Sequence, residues 1–202
     1  MKKFILFIAL LCSFLSVKSF AFELRTGDVL LQPLKCWSCS LIEQQEQSEY
    51  AHIGMVINFS GQTFVAEAFG KVKIVPLKDF LSKTAKGKKV KVRRADYHFL
   101  AFEPVQLALI NKTLEYVGNP YDSAFLWNNE INGVEALYCS ELVYKVLAHY
   151  IPFSLLRPKE MLFDVNPEMW DRYFRGNTPR GQLGISPEDF NQSYDFYTLG
   201  EL

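Results

Sequence analysis

The stretch "AHIGMVINFSGQTFVAEAF", residues 51–69, limits what this chain can fold into more than any other segment. Two runs of apolar and β-branched residues flank the turn signal "NFSG", the pattern of a β-hairpin. Side chains alternate faces along a strand, and directly opposed residues of an antiparallel pair share a face. A two-residue turn at Ser60-Gly61 pairs His52 with Phe69 and sets Glu67 diagonally on the His52 face. A four-residue loop over Asn58 to Gly61 puts Glu67 directly opposite His52. In both registers an imidazole and a carboxylate share one face, and only a slip by one residue would part them.

The rest of the chain reads as strands and helices in mixed order. "RTGDVLLQ" (25–32) is a turn followed by a strand, and "KVKVRRAD" is a further strand. "PVQLALINKTLEYVG" (104–118) has apolar residues at helical spacing, with Pro104 suited to the first turn. "NPYDSAFLWNNEINGVEA" is rich in Asn, Asp and Gly and reads as loop, leading to a helix that begins near Cys139. "PFSLLRPKEMLF" and "ISPEDFNQS" are short and punctuated by proline; the second is a helix start, with Pro187 behind a Ser186 cap. No repeat, heptad run or linker divides the chain, so a single α+β domain is expected.

Residues 1–21 stand apart. Lys2 and Lys3 precede the apolar "FILFIALLCSFLSV", and "SFA" closes the run before Phe22, the layout of a secretory signal peptide. A spanning helix needs about 20 apolar residues, more than this run supplies. Leu11 stands before Cys12 where a lipid-attachment signal needs a small residue, so no stable membrane anchor is expected after cleavage. The expected product is a periplasmic or secreted domain over residues 22–202. Loss of Lys2, Lys3 and Lys18 takes the chain from 22 basic and 22 acidic residues to 19 against 22. A slightly acidic domain is a poor ligand for nucleic acid. The basic piece "KTAKGKKVKVRR" (83–94) reads as a solvated loop running into a strand.

Three cysteines remain: Cys36, Cys39 and Cys139. In an oxidising compartment an odd count leaves one thiol to be explained. Cys36 and Cys39 form a C-x-x-C without a thioredoxin-like βαβ pattern around it, and His52, His98 and His149 supply no matching zinc set. A local Cys36–Cys39 disulfide is the expectation, which leaves Cys139 free. In "ALYCSELVYKVL" (136–147) that cysteine opens a helix, where free first-turn N–H groups and the helix dipole favour a thiolate. Leu142, Val143, Val146 and Leu147 would pin this helix into the core. A cysteine hydrolase needs an imidazole to move the proton and a third group to orient the imidazole, roles that His52 and Glu67 fit. Tyr138 and Tyr50, beside Cys139 and His52, are candidates to line a cleft or stabilise an oxyanion.

On these residues the chain resembles the permuted papain-like amidases of the YaeF/YiiX group within the NlpC superfamily. The resemblance rests on "TGDVLL", "AHIGMVI" followed by "VAEA", "YCSELVY" and the late "SPEDF", in that order, and spans about residues 25 to 190. It implies a circularly permuted papain-like α+β fold, an antiparallel sheet packed against helices, with the histidine hairpin ahead of the cysteine helix. It also implies Cys139 as nucleophile, His52 as general base and then acid, and Glu67 as the group that orients His52. His98 and His149 match no motif position. The substrates it suggests are cell-wall (peptidoglycan) peptides, N-acyl amino acids or other small lipid-derived amides, cleaved without metal or organic cofactor. A thiol-dependent acyltransferase, a lipid hydrolase and a non-catalytic cleft-binding module are the alternatives. The Cys36-Cys39 pair and the "PYDSAFLWNNEINGVEA" insert depart from the family pattern.

Overall fold

The hairpin closes through Ser60 and Gly61, both at positive φ (50° and 74°), the geometry that suits the twist of two antiparallel strands. Phe59 therefore pairs with Gln62, and the ladder runs back through Val56–Val65 to Met55–Ala66. Of the two registers the sequence allows, the two-residue turn is the one that forms. The computed structural model describes residues 22–202, and the expected signal peptide lies outside them.

In chain order the described elements begin with β1 (Val29–Gln32), α1 (Trp37–Glu46), β2 (His52–Phe59), β3 (Gln62–Phe69), β4 (Lys71–Pro76), α2 (Leu77–Leu81) and β5 (Lys91–Ala95). A 3-10 turn (His98–Ala101), α3 (Glu103–Tyr116), β6 (Glu130–Ile131), β7 (Val134–Glu135) and α4 (Cys139–Ala148) follow. The chain closes with β8 (Lys159–Glu160), α5 (Pro167–Tyr173), β9 (Leu183–Gly184), α6 (Pro187–Gln192) and β10 (Phe196–Glu201). Six strands make one antiparallel sheet in the order β10-β5-β1-β2-β3-β4.

Both faces of this sheet are covered. On one, Ile53, Met55, Ile57, Ala66 and Ala68 pack with Leu142, Val143, Val146 and Leu147 of α4 and Leu109 of α3. On the other, Leu30, Val56, Val65 and Val92 pack with Phe80 of α2. Each Val, Leu, Ile, Met or Phe side chain among them contributes about 1.5–3 kcal/mol on burial. That two-sided burial explains why "VLLQ" in β1 reads as a continuous apolar run rather than an alternating one.

Helix α1 follows Cys36, and the C-x-x-C straddles its start: Cys36 is the N-cap and, as expected, is joined to Cys39 in a disulfide. Two local expectations are corrected. The Asn- and Gly-rich insert is not all loop. Asn132-Gly133, at φ 55° and 75°, closes the ribbon β6–β7 by the same turn chemistry as the main hairpin. The lysine-rich segment is not simply solvated either: Arg94 clamps Asp28, Arg93 binds the Ser193 and Phe196 carbonyls, and Lys83 reaches a buried carboxylate.

Candidate active site

His52 is the first residue of β2 and is buried, 3% exposed. Glu67, near the end of β3, is fully buried. Continuing the ladder past Met55–Ala66 sets Glu67 diagonally from His52 on the same face, and the side chains meet: His52 Nε2 lies 2.8 Å from Glu67 Oε2. Phe69 and Phe80 flank the imidazole at centroid distances of 5.6 and 5.8 Å, which limits its rotation.

Cys139 is the first residue of α4, which packs across β2 and β3. It is the free cysteine among the described residues, and its thiol is near enough to His52 to raise the proton affinity of the ring. With Nε2 held by Glu67, Nδ1 is the ring nitrogen left to serve the thiol. Burial works against the imidazolium, but the hydrogen bonds with Cys139 and Glu67 outweigh it and raise the His52 pKa above its ordinary value. For Glu67 burial alone would raise the pKa. The hydrogen bonds and charges of His52 and Lys83 reverse that and hold it at about 2, so the carboxylate stays ionised.

The residues flanking the thiol are tied to the late "ISPEDF" segment. The Ile185 N–H donates to the Tyr138 hydroxyl at 3.0 Å, and the Ser140 hydroxyl donates to the Ile185 carbonyl at 2.7 Å. Ser186 caps α6 in a reciprocal capping box with Asp189 and donates to Glu46 of α1. These bonds hold α1, α4 and α6 around a narrow slot at Cys139, lined on its apolar side by Phe125, Phe163, Trp170 and Ile185.

Tyr138 lines that slot, with its hydroxyl engaged by Ile185. Tyr50 is buried elsewhere, under the Lys91 ammonium at 5.0 Å from its ring, and is not a lining residue. His98 and His149 are exposed, in the 3-10 turn and at the C-cap of α4, and take no part. Sequence reasoning missed Tyr121. It lines the slot together with Cys139, and its pKa is raised well above the ordinary value, by burial first and then by the charge of Cys139, so its hydroxyl stays neutral. Its placement comes from a bridge to Leu137, two residues before Cys139, which no periodicity in an irregular segment reveals.

A thiol at a helix start, an imidazole on an antiparallel sheet beside it and a carboxylate behind the imidazole define a papain-like cysteine hydrolase. Here the histidine strand precedes the cysteine helix, the reverse of the papain order. The chain belongs to the permuted papain-like amidase enzymes of the YaeF/YiiX, C92 family, whose model matches residues 23–198. It is 31% identical over 194 residues to the uncharacterized protein YiiX of Escherichia coli K12, an alignment covering 93% of this chain and 90% of that protein. A crystal structure of the metalloprotein yiiX from Escherichia coli O157:H7 superposes with a TM-score of 0.77 at 25% identity, covering 90% of this chain and 99% of that one. Among the described residues no group of three or more His, Cys, Asp or Glu side chains converges as a metal site.

Proposed function

We propose that this protein is an exported cysteine amidase that cleaves an amide through a thioester on Cys139. The observation that carries the reading is the buried His52–Glu67 pair, 2.8 Å apart, with the Cys139 thiol acting on the proton affinity of the same ring. His52 takes the thiol proton, and the thiolate attacks the amide carbonyl carbon. The resulting oxyanion is met by first-turn N–H groups of α4 and by the Tyr121 hydroxyl. Collapse breaks the C–N bond, and the departing amine takes the proton from His52. Water, deprotonated by His52, then attacks the thioester, releasing the carboxylic acid and restoring the thiol. Glu67 stays ionised throughout and holds the imidazolium in place.

The aromatic and aliphatic lining beside the sulfur supports an apolar group on the acyl side of the scissile bond, as in an N-acyl amino acid or lipid amide, over a sugar-bearing fragment. Export rests on the layout of residues 1–21, and the N-terminal sequence of the protein recovered from producing cells tests it, with Phe22 the expected first residue. The chemistry is tested by incubating wild type and Cys139→Ala with N-acyl amino acids and cell-wall peptides and reading products by mass spectrometry. The variant should keep its fold and lose all turnover; hydrolysis surviving in Cys139→Ala sinks the assignment.

A further inference from the structure

We propose that Lys83 is a positioning residue that keeps Glu67 charged and aimed at His52; this rests on the Cys139-His52-Glu67 reading above. Glu67 is fully buried, and a carboxylate taken out of water without a partner cation would hold a proton instead. The Lys83 ammonium donates to both of its oxygens, at 2.5 Å to Oε1 and 2.6 Å to Oε2, while Oε2 also meets the His52 ring. Lys73 of β4 is a weaker neighbour, 3.7 Å from Oε1.

The fold builds the placement of Lys83 from the same strand pair that carries His52. Gln32 stands directly across the ladder from His52 and is fully buried. Its amide nitrogen donates to the Phe80 carbonyl at 2.7 Å and to the Thr84 hydroxyl at 2.9 Å, clamping the turn that holds Lys83 between them. The Lys83 ammonium then sits 4.8 and 5.4 Å from the ring centroids of Phe69 and Phe80, the two rings that also flank His52. Ammonium and imidazole thus share one aromatic frame around a single carboxylate.

The charged and titratable groups around the ammonium and the imidazole are His52 on β2, Glu67 on β3, Lys73 on β4, Lys83 after α2 and Cys139 on α4. Removing the Lys83 charge lets Glu67 take up a proton, so the imidazolium loses its charged partner and the thiol, with a weaker cation beside it, should hold its proton to higher pH. A merely structural lysine would lower the amount of folded protein without moving that profile.

The test reads the pH dependence of Cys139 alkylation by iodoacetamide, which needs no substrate, in wild type, His52→Ala, Lys83→Met, Lys83→Gln and Lys83→Arg, with thermal melts as the check on folding. Wild type and His52→Ala alkylating alike overturns the reading of the site itself. With those two distinct, Lys83→Met should shift the profile upward and slow alkylation about threefold or more on its acid side, while Lys83→Arg stays close to wild type. Should Lys83→Met not fold, Lys83→Gln, which keeps a hydrogen-bond donor but no charge, carries the same expectation. A Met or Gln profile that overlays wild type while His52→Ala is displaced overturns the role of Lys83.

Discussion

Glu67 shows how much one side chain depends on its surroundings. Its folded-state carboxyl is held at about 2, against an ordinary value of 4.5. A depressed carboxyl contributes stability that is complete above the ordinary value and is lost as pH falls through the folded one. Denaturation midpoints of the wild type should therefore drop between about pH 4.5 and pH 2, by up to ~3 kcal/mol from this group. Glu67→Gln should flatten that dependence and lower kcat on the order of 10²-fold or more, because the imidazolium loses its charged partner. A Glu67→Gln protein with the acid sensitivity of wild type would contradict the ionised, doubly bound carboxylate. Tyr121→Phe removes the hydroxyl proposed to meet the oxyanion and leaves the ring; kcat should fall roughly 10–10³-fold with little change in melting temperature. Unchanged kcat in that variant would remove Tyr121 from the chemistry.

At the scale of elements, the meeting of β2 with α2 depends on the lack of a side chain at Gly54. A Cβ there would lie 2.5 Å from Val65 Cγ1 and 2.9 Å from Phe80 Cε2, both in the core beneath the His52 face. Gly54→Ala should cost about 1–3 kcal/mol by overpacking and should also disturb the Phe80 wall beside His52, so urea midpoint and alkylation rate fall together. The α6 cap behaves differently. Ser186→Ala breaks the capping box and the bond to Glu46 at one edge of the slot, for an expected loss of about 1 kcal/mol. Substrate affinity should suffer more than the rate of alkylation, since the thiol and its imidazole are untouched. The two variants thus separate the wall behind the imidazole from the rim of the cleft.

For the whole molecule, the last strand matters beyond its size. β10 pairs with β5 along an edge of the sheet, and Leu199 and Leu202 pack on the core that holds Phe80. Asp195, just before it, accepts hydrogen bonds from the Leu155 and Leu156 N–H groups and from the Ser154 hydroxyl, tying the segment after α4 to the C-terminus. Deleting residues 196–202 would bare the β5 edge and that apolar surface, so the truncated chain should lose near-UV circular dichroism and aggregate. A truncated chain that stays monomeric with a native near-UV spectrum would show that β10 is dispensable.

The sequence by itself determined the hairpin, its even register, the cysteine helix and the α6 cap, because each depends on neighbours in the chain: strand alternation, turn chemistry at Ser60-Gly61 and a serine ahead of Pro187. It left open which of two turns closes the hairpin, although both put His52 and Glu67 on one face. Helix α1 was hidden because its pattern is weakly amphipathic and its start is capped by a cysteine already bonded to Cys39. The partners of the relay were decided only in three dimensions. Lys83 sits in a lysine-rich run that resembles solvated surface, and Tyr121 in an irregular insert. What brings them to Glu67 and Cys139 is the Gln32 clamp and the Tyr121–Leu137 bridge, contacts between residues far apart in the chain that no local pattern encodes.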